Sequence, residues 1–131
     1  MISIHIVGVE KLLRKFNSIQ KIHEILAPPM RISTMVLQAD LAKYPPKRRG
    51  SKYVRTGTLG RKWTTSPPRL EGRKLIGRVG TNVVYAPLVQ SSKFQSSVHR
   101  GRWQTDEQVI KRNRKRIVTQ LNITIAAALE D

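Results

Sequence analysis

The sequence contains no cysteine. Disulfides, thiol nucleophiles and Cys-type zinc sites are therefore excluded. Acids are scarce, with 8 Asp or Glu against 25 Lys or Arg, which gives a formal net charge of +17 over 131 residues. Aromatic residues make up 5% of the chain and apolar residues 39%, below the usual share for a globular domain. No apolar run approaches the ~20 residues that a membrane span needs. The start MISIHIVGVEK lacks the charged head and long apolar stretch of a secretory signal. These absences predict an intracellular protein with one domain over residues 1–131 and a modest core. Like charges at this density oppose compaction unless an anionic partner offsets them. Nucleic acid fits that role better than a membrane surface, because no basic segment is paired with a Trp- or Phe-rich face.

The shortage of acids also bears on catalysis. General acid–base or metal chemistry needs acids or histidines that converge. Only Asp106 and Glu107 are adjacent within the body of the chain, and capping of a helix N-terminus accounts for both. His5, His23 and His99 are dispersed; His99 alone lies in a loop of functional appearance, SSVHRGRW. No nucleophile elbow, phosphate loop or dinucleotide fingerprint is present. The glycines of Thr56-Gly57-Thr58-Leu59-Gly60 are too loosely spaced for either phosphate motif. The chain is read as a protein without catalytic residues, metal or cofactor.

What is present begins with Ile2, Ile4 and Ile6, whose alternation predicts a strand. Val9, Leu12, Leu13, Phe16, Ile19, Ile22 and Leu26 recur at helical spacing and predict one helix ended by Pro28 and Pro29. Ile32, Met35, Val36, Ala39 and Ala42 form the stripe of a second helix, stopped before Pro45. Lys62 to Thr65 is a candidate strand broken by Pro67 and Pro68. Leu75–Val79 and Val83–Tyr85 flank Gly80-Thr81-Asn82 as a hairpin. Thr105-Asp106-Glu107-Gln108 opens a last helix, with Val109, Ile110, Ile117, Leu121, Ile125 and Ala128 on its apolar side. The predicted class is α+β: an N-terminal strand and helical pair, a small, mostly antiparallel sheet, a C-terminal helix, and two long basic loops at 44–61 and 90–104.

Charge is concentrated in those irregular parts. Tyr44 to Trp63 carries seven Lys or Arg and no acid. Lys47, Arg48, Arg49, Lys52, Arg55, Arg61 and Lys62 are the candidate residues for an anionic surface, met through counterion release without reading sequence. Gly50, Gly57 and Gly60 allow turns, while Pro45 and Pro46 stiffen the exit from the preceding helix. Trp63 is read first as core and otherwise, with Tyr53, as a platform for stacking on bases. The run Lys111 to Arg116 sits on the last helix, where Asn113 and Arg116 fall near the apolar side. It is either a solvated face or a phosphate-facing one.

Taken in order, Tyr44-Pro45-Pro46, then basic residues leading into Arg55-Thr56-Gly57-Thr58-Leu59, then Trp63, then VGTNVVYAPLVQ (79–90), then HRGRWQT (99–105) resemble a family of small bacteriophage proteins. These are tail-component, neck or head–tail joining proteins of long-tailed phages. The resemblance spans roughly 44–105. It implies a non-catalytic structural protein of the virion that joins or completes the head–tail connector as part of an oligomeric ring around the DNA path. Implied partners are other neck, tail or connector proteins, further copies of itself, and double-stranded DNA in the channel, with no membrane. Implied location is the virion neck or tail, with assembly in the host cytoplasm. Tyr44, Pro45, Pro46, Thr56, Gly57, Leu59, Trp63, Gly80, Tyr85, Ala86 and Trp103 are the motif residues that would shape it. The reading from a different class is a free-standing, sequence-nonspecific nucleic-acid-binding protein.

Overall fold

A computed structural model describes residues 2–6, 9–46, 57–71 and 74–130. The chain is α+β, with helices set beside a three-stranded antiparallel sheet. Strand β1 (Ile2–Ile6) buries Ile2 and Ile6 and exposes Ser3 and His5, as its alternation predicts. Helix α1 (Glu10–Phe16) follows and buries Leu12.

The predicted first helix is interrupted. Asn17 takes a left-handed conformation (φ 47°) and its N–H closes on the Leu13 carbonyl. Ser18 then caps α2 (Ile19–Leu41), its hydroxyl accepting the Lys21 N–H at 3.2 Å. Pro28 and Pro29, expected to end the helix, lie inside it. Each proline removes a helical N–H and costs about 3 kcal/mol. The carbonyls that lose their helical donors are those of Glu24, an exposed residue, and Ile25, a half-buried one. Continuity buries Ile22, Leu26, Met30, Leu37 and Leu41, each at most 2% exposed, and each such burial contributes about 1.5–3 kcal/mol. Burial outweighs the local cost.

Running through the prolines fixes the helical phase. Met30, Thr34, Leu37 and Leu41 continue the face begun by Ile22 and Leu26. The stripe expected to be core, Ile32 with Met35 and Ala39, therefore points to solvent; Ile32 is 61% and Met35 59% exposed.

After the short helix α3 (Thr58–Arg61), strand β2 (Thr64–Glu71) runs through Pro67 and Pro68 rather than stopping there. Ser66 pairs with Arg78 and Arg69 with Ile76, so β2 carries one extra residue opposite Gly77 of β3 (Lys74–Gly80). This is a bulge on an edge strand, the setting that tolerates proline. The sheet order is β1-β3-β2. The hairpin is thus β2–β3, and the expected hairpin at Gly80-Thr81-Asn82 is absent: beyond Gly80 the chain turns at Val84-Tyr85 into helix α4 (Ala86–Gln90).

Helix α5 (Asp106–Glu130) closes the fold. Its cap is a reciprocal box: Thr105 Oγ1 accepts the Gln108 N–H at 3.2 Å, and Gln108 Oε1 accepts the Thr105 N–H at 2.9 Å. Val109, Asn113, Ile117 and Leu121 form its buried seam. The core joins β1, α1, α2, β3 and α5, together with Trp63. At its centre α2 comes very close to β3: a Cβ on Gly77 would lie 2.7 Å from Met30 Sδ and 2.9 Å from Thr34 Cγ2. Only glycine permits that approach.

Candidate anion-facing site and its scaffold

Four of the motif residues, Tyr44, Leu59, Ala86 and Trp103, take part in a second, smaller core. Leu59 of α3 meets Ala86 and Val89 of α4, with Tyr44, Val83 and Trp103 packed against them. The Tyr44 and Trp103 rings lie 5.0 Å apart at 59°, within the range of a favourable aromatic pair. Tyr44 Oη accepts the Gly60 N–H at 2.9 Å. Arg102 Nη2 donates to the Pro46 carbonyl at 3.2 Å. Gly57 opens α3 with φ 77°, a left-handed geometry that favours glycine. These contacts bring together the two flanks of the basic segment, Tyr44–Pro46 on one side and Gly57–Gly60 on the other.

Lys47, Arg48, Arg49, Lys52 and Arg55, along with Tyr53 and Thr56, lie outside the described residues. Arg61 and Lys62 are exposed at the end of α3, directly before Trp63. Trp63 is core: it is 5% exposed, and its Nε1–H donates to Gln90 Oε1 at 3.2 Å. Gln90 in turn donates to the Leu41 carbonyl at 3.2 Å, while Gln38 Nε2 donates to the Trp63 carbonyl at 2.6 Å. Gly80 ends β3, its carbonyl accepting Thr64 Oγ1–H at 3.2 Å. Ala86 is buried and Tyr85 is 45% exposed.

The second basic loop is tied down. Gln95 Nε2 donates to the carbonyls of Val89 (2.7 Å) and Trp103 (3.0 Å). Asp106 Oδ1 accepts the N–H of Ser92 at 3.1 Å and of Glu107 at 2.8 Å. Glu107 pairs with Lys111 at 3.4 Å. Both acids therefore serve the end of α5. His5 meets Ser3 Oγ at 3.0 Å, His23 meets the Pro68 carbonyl at 3.1 Å, and His99 stands edge-on to Trp103. Among the described residues no group of three His, Asp or Glu is placed to hold a metal ion.

Behind this loop base sits a polar node that the sequence reading missed. Asp40 is 7% exposed. It accepts Arg112 Nη2–H at 2.9 Å and Nε–H at 3.1 Å, and Asn113 Nδ2–H at 2.8 Å; Lys43 Nζ stands 3.9 Å away. Gln104 joins them, donating to the Asp40 carbonyl and accepting from Arg112. Burial pushes the Asp40 carboxyl up, but hydrogen bonds from Asn113 and Arg112, with the charges of Arg112 and Lys43, outweigh it and hold its pKa below the usual value. The available signal was an acid beside Leu41 in the α2 seam, matched by an amide at a seam position of α5. Of the two polar residues expected near that seam, Asn113 is buried and Arg116 is exposed.

Large apolar side chains are exposed at Ile19, on α5 at Ile110 (37%), Val118 (46%) and Ile123 (58%), and in two further places. One is the outer stripe of α2, beside a shallow groove lined by Arg31, Thr34, Met35, Thr65, Ser66 and Pro67. The other is the stretch through α4 and the following loop: Val84 is 93%, Leu88 54%, Phe94 66% and Val98 57% exposed. Among the described residues no helix is long and apolar enough to cross a membrane.

No family model, curated protein or solved structure matches the chain. The functional reading therefore rests on the chemistry of the site and the motif resemblance.

Proposed function

We propose that this chain is a structural virion protein of a phage neck or tail. In this reading it joins or completes the head–tail connector as one subunit of an oligomeric ring around the DNA path. The observation that carries the reading is the clamp at the base of the basic segment. Tyr44, Leu59, Ala86 and Trp103, distant in sequence, form one small core, and the Tyr44–Gly60 hydrogen bond links the two flanks. A scaffold of this kind presents cations and needs no reacting group. The exposed apolar side chains of α2, α4 and the 91–98 stretch support the reading too, since apolar surface grouped on a soluble chain marks contact with neighbours. The motif residues are structural here, and Lys47, Arg48, Arg49, Lys52, Arg55, Arg61 and Lys62 meet DNA or an acidic neighbouring subunit.

The test is a lysate made without this chain. The expected result is filled heads with no tails attached, restored by supplying the protein. Fully tailed, infectious particles in its absence would overturn the reading.

A second reading, the free-standing nonspecific nucleic-acid-binding protein, is favoured by α5, where 112–129 contains no acid. Tight duplex binding by purified protein, combined with normal particle assembly in its absence, would select it.

A further inference from the structure

A hydrogen bond ties the described flank of the first basic segment, Tyr44–Pro46, to the loop that leads into α5: Arg102 donates to the Pro46 carbonyl. Two residues on, Gln104 holds Arg112 in the second turn of α5, and Asp40 grips the same guanidinium through both of its oxygens. Asp40 lies three residues before Lys43, just ahead of the flank Tyr44–Pro46. Arg102 and Gln104 thus tie the Tyr44–Pro46 flank and Asp40 to the first turns of α5.

On α5 the seam residues Val109, Asn113, Ile117 and Leu121 face inward. With 100° per residue, Arg112 and Arg116 lie one turn apart on the flank anchored to Asp40 and Gln104. Lys111 and Lys115 lie one turn apart on the outward side, and Arg114 lies on the opposite flank. All five are exposed. Glu107 and Asp40 engage Lys111 and Arg112; Arg114, Lys115 and Arg116 have no ion-pair partner among the described residues.

We infer that the first turns of α5, together with Lys43 and Arg102, form a phosphate-binding surface, and that its ligand is the backbone of double-stranded DNA. The inference rests on the reading of this chain as a subunit facing the DNA path and names which partner its cations meet. Three features favour DNA over an acidic protein. Five of the six residues 111–116 are cations with no apolar residue among them, whereas protein interface cores are depleted in lysine and other charges. Cations on both flanks of an exposed helix suit the two phosphate rims of a groove about 12 Å wide. Trp63, a candidate platform for unpaired bases, is buried and bound to Gln90, which removes that side chain from stacking on a single strand.

The experiment measures binding of the full chain to a fluorescent 30-base-pair duplex by anisotropy from 50 to 200 mM salt. Three proteins are compared: wild type, R114Q/K115Q/R116Q, and a control, K11Q/R14Q/K21Q. The control removes exposed cations near α1, which packs at the other end of α5 through the Lys15 Nζ to Ala128 carbonyl bond of 2.7 Å. Circular dichroism melts verify that all three fold. Each phosphate contact contributes about 0.9 to the slope of log K against log salt, so the α5 variant should lose about 2–3 from that slope and bind about tenfold more weakly at 50 mM. The control should stay near wild type. Equal losses in both variants would overturn the surface, as would absence of duplex binding by wild type at 50 mM. Tighter binding to a single strand of the same length, or displacement of the duplex by polyglutamate at equal charge, would overturn the assignment to duplex DNA. Failure of the neck reading is seen separately, in whether lysates lacking the chain hold tailed particles.

Discussion

The close approach of α2 to β3 makes Gly77→Ala the sharpest test of the packing. The new methyl would sit 2.7 Å from Met30 Sδ, 2.9 Å from Met30 Cγ and 2.9 Å from Thr34 Cγ2, against an ordinary carbon contact of about 3.5–4.0 Å. Neither neighbour has room to retreat: Met30 is 0% and Thr34 1% exposed. Overpacking of this degree costs about 1–3 kcal/mol. Alanine recovers up to about 1 kcal/mol through the lower entropy of its unfolded chain and its better fit to a strand. The net loss is about 1–2 kcal/mol, which for a domain of this size lowers Tm by about 3–10 °C. Thermal and urea melts of wild type, Gly77→Ala, Met30→Ala and the double variant form a cycle. Met30→Ala alone leaves a cavity and costs about 2–5 kcal/mol, but it also removes the Met30 Sδ and Cγ atoms, leaving only Thr34 Cγ2 against the new methyl. The two changes should therefore couple favourably by about 1 kcal/mol or more. A Gly77→Ala protein as stable as wild type, or costs that simply add, would refute the argument that this glycine sets the spacing between helix and sheet.

Other substitutions test the second core and the polar node. Tyr44→Phe removes the hydroxyl that accepts the Gly60 N–H and should cost about 0.5–1.5 kcal/mol in urea melts while leaving far-UV dichroism unchanged. Gln90→Leu takes away the partner of Trp63 Nε1–H and of the Leu41 carbonyl; leaving both unsatisfied should cost about 2–4 kcal/mol and shift Trp fluorescence. Gly57→Ala places a side chain at φ 77° and should cost about 1–2 kcal/mol by the same melts. Asp40→Asn gives a pH signature. The native pKa of Asp40 is depressed below the ordinary 3.8, so its stabilisation is fully present above the unfolded value and fades as pH falls through the native one. Wild type should lose stability on acidification below about pH 4, and Asp40→Asn should lose measurably less over that window.

Much of the fold was legible because it is local. The alternation of Ile2, Ile4 and Ile6 gives β1, and Thr105 with Gln108 caps α5, since each signal needs only neighbouring residues. Pro28-Pro29 and Pro67-Pro68 misled for a shared reason: proline disfavours regular structure locally, and tertiary context overrode it twice. In α2 the burial of Leu26 and Met30 on either side carried the helix through, and with it the phase that put Ile32 and Met35 outside. In β2 the edge position and the bulge opposite Gly77 removed the need for the missing N–H groups. Val83–Tyr85 was misjudged because β-branched and aromatic residues fit a turn leading into α4 once Val83 has the small core of Leu59 and Trp103 to pack on. At the site, the motif residues and the charge runs were visible as sequence. Their convergence was not, because it depends on contacts of long sequence separation such as Tyr44 with Trp103, Arg102 with Pro46, and Asp40 with Arg112.

The most direct test of the central claim is the structure of the assembled phage particle, with this chain located in it. The account predicts a ring at the neck or tail, with the segment from Lys47 to Arg55 turned toward DNA or an acidic neighbouring subunit. A chain absent from the purified virion, or one whose basic segment lies on the outer surface touching neither, would contradict it.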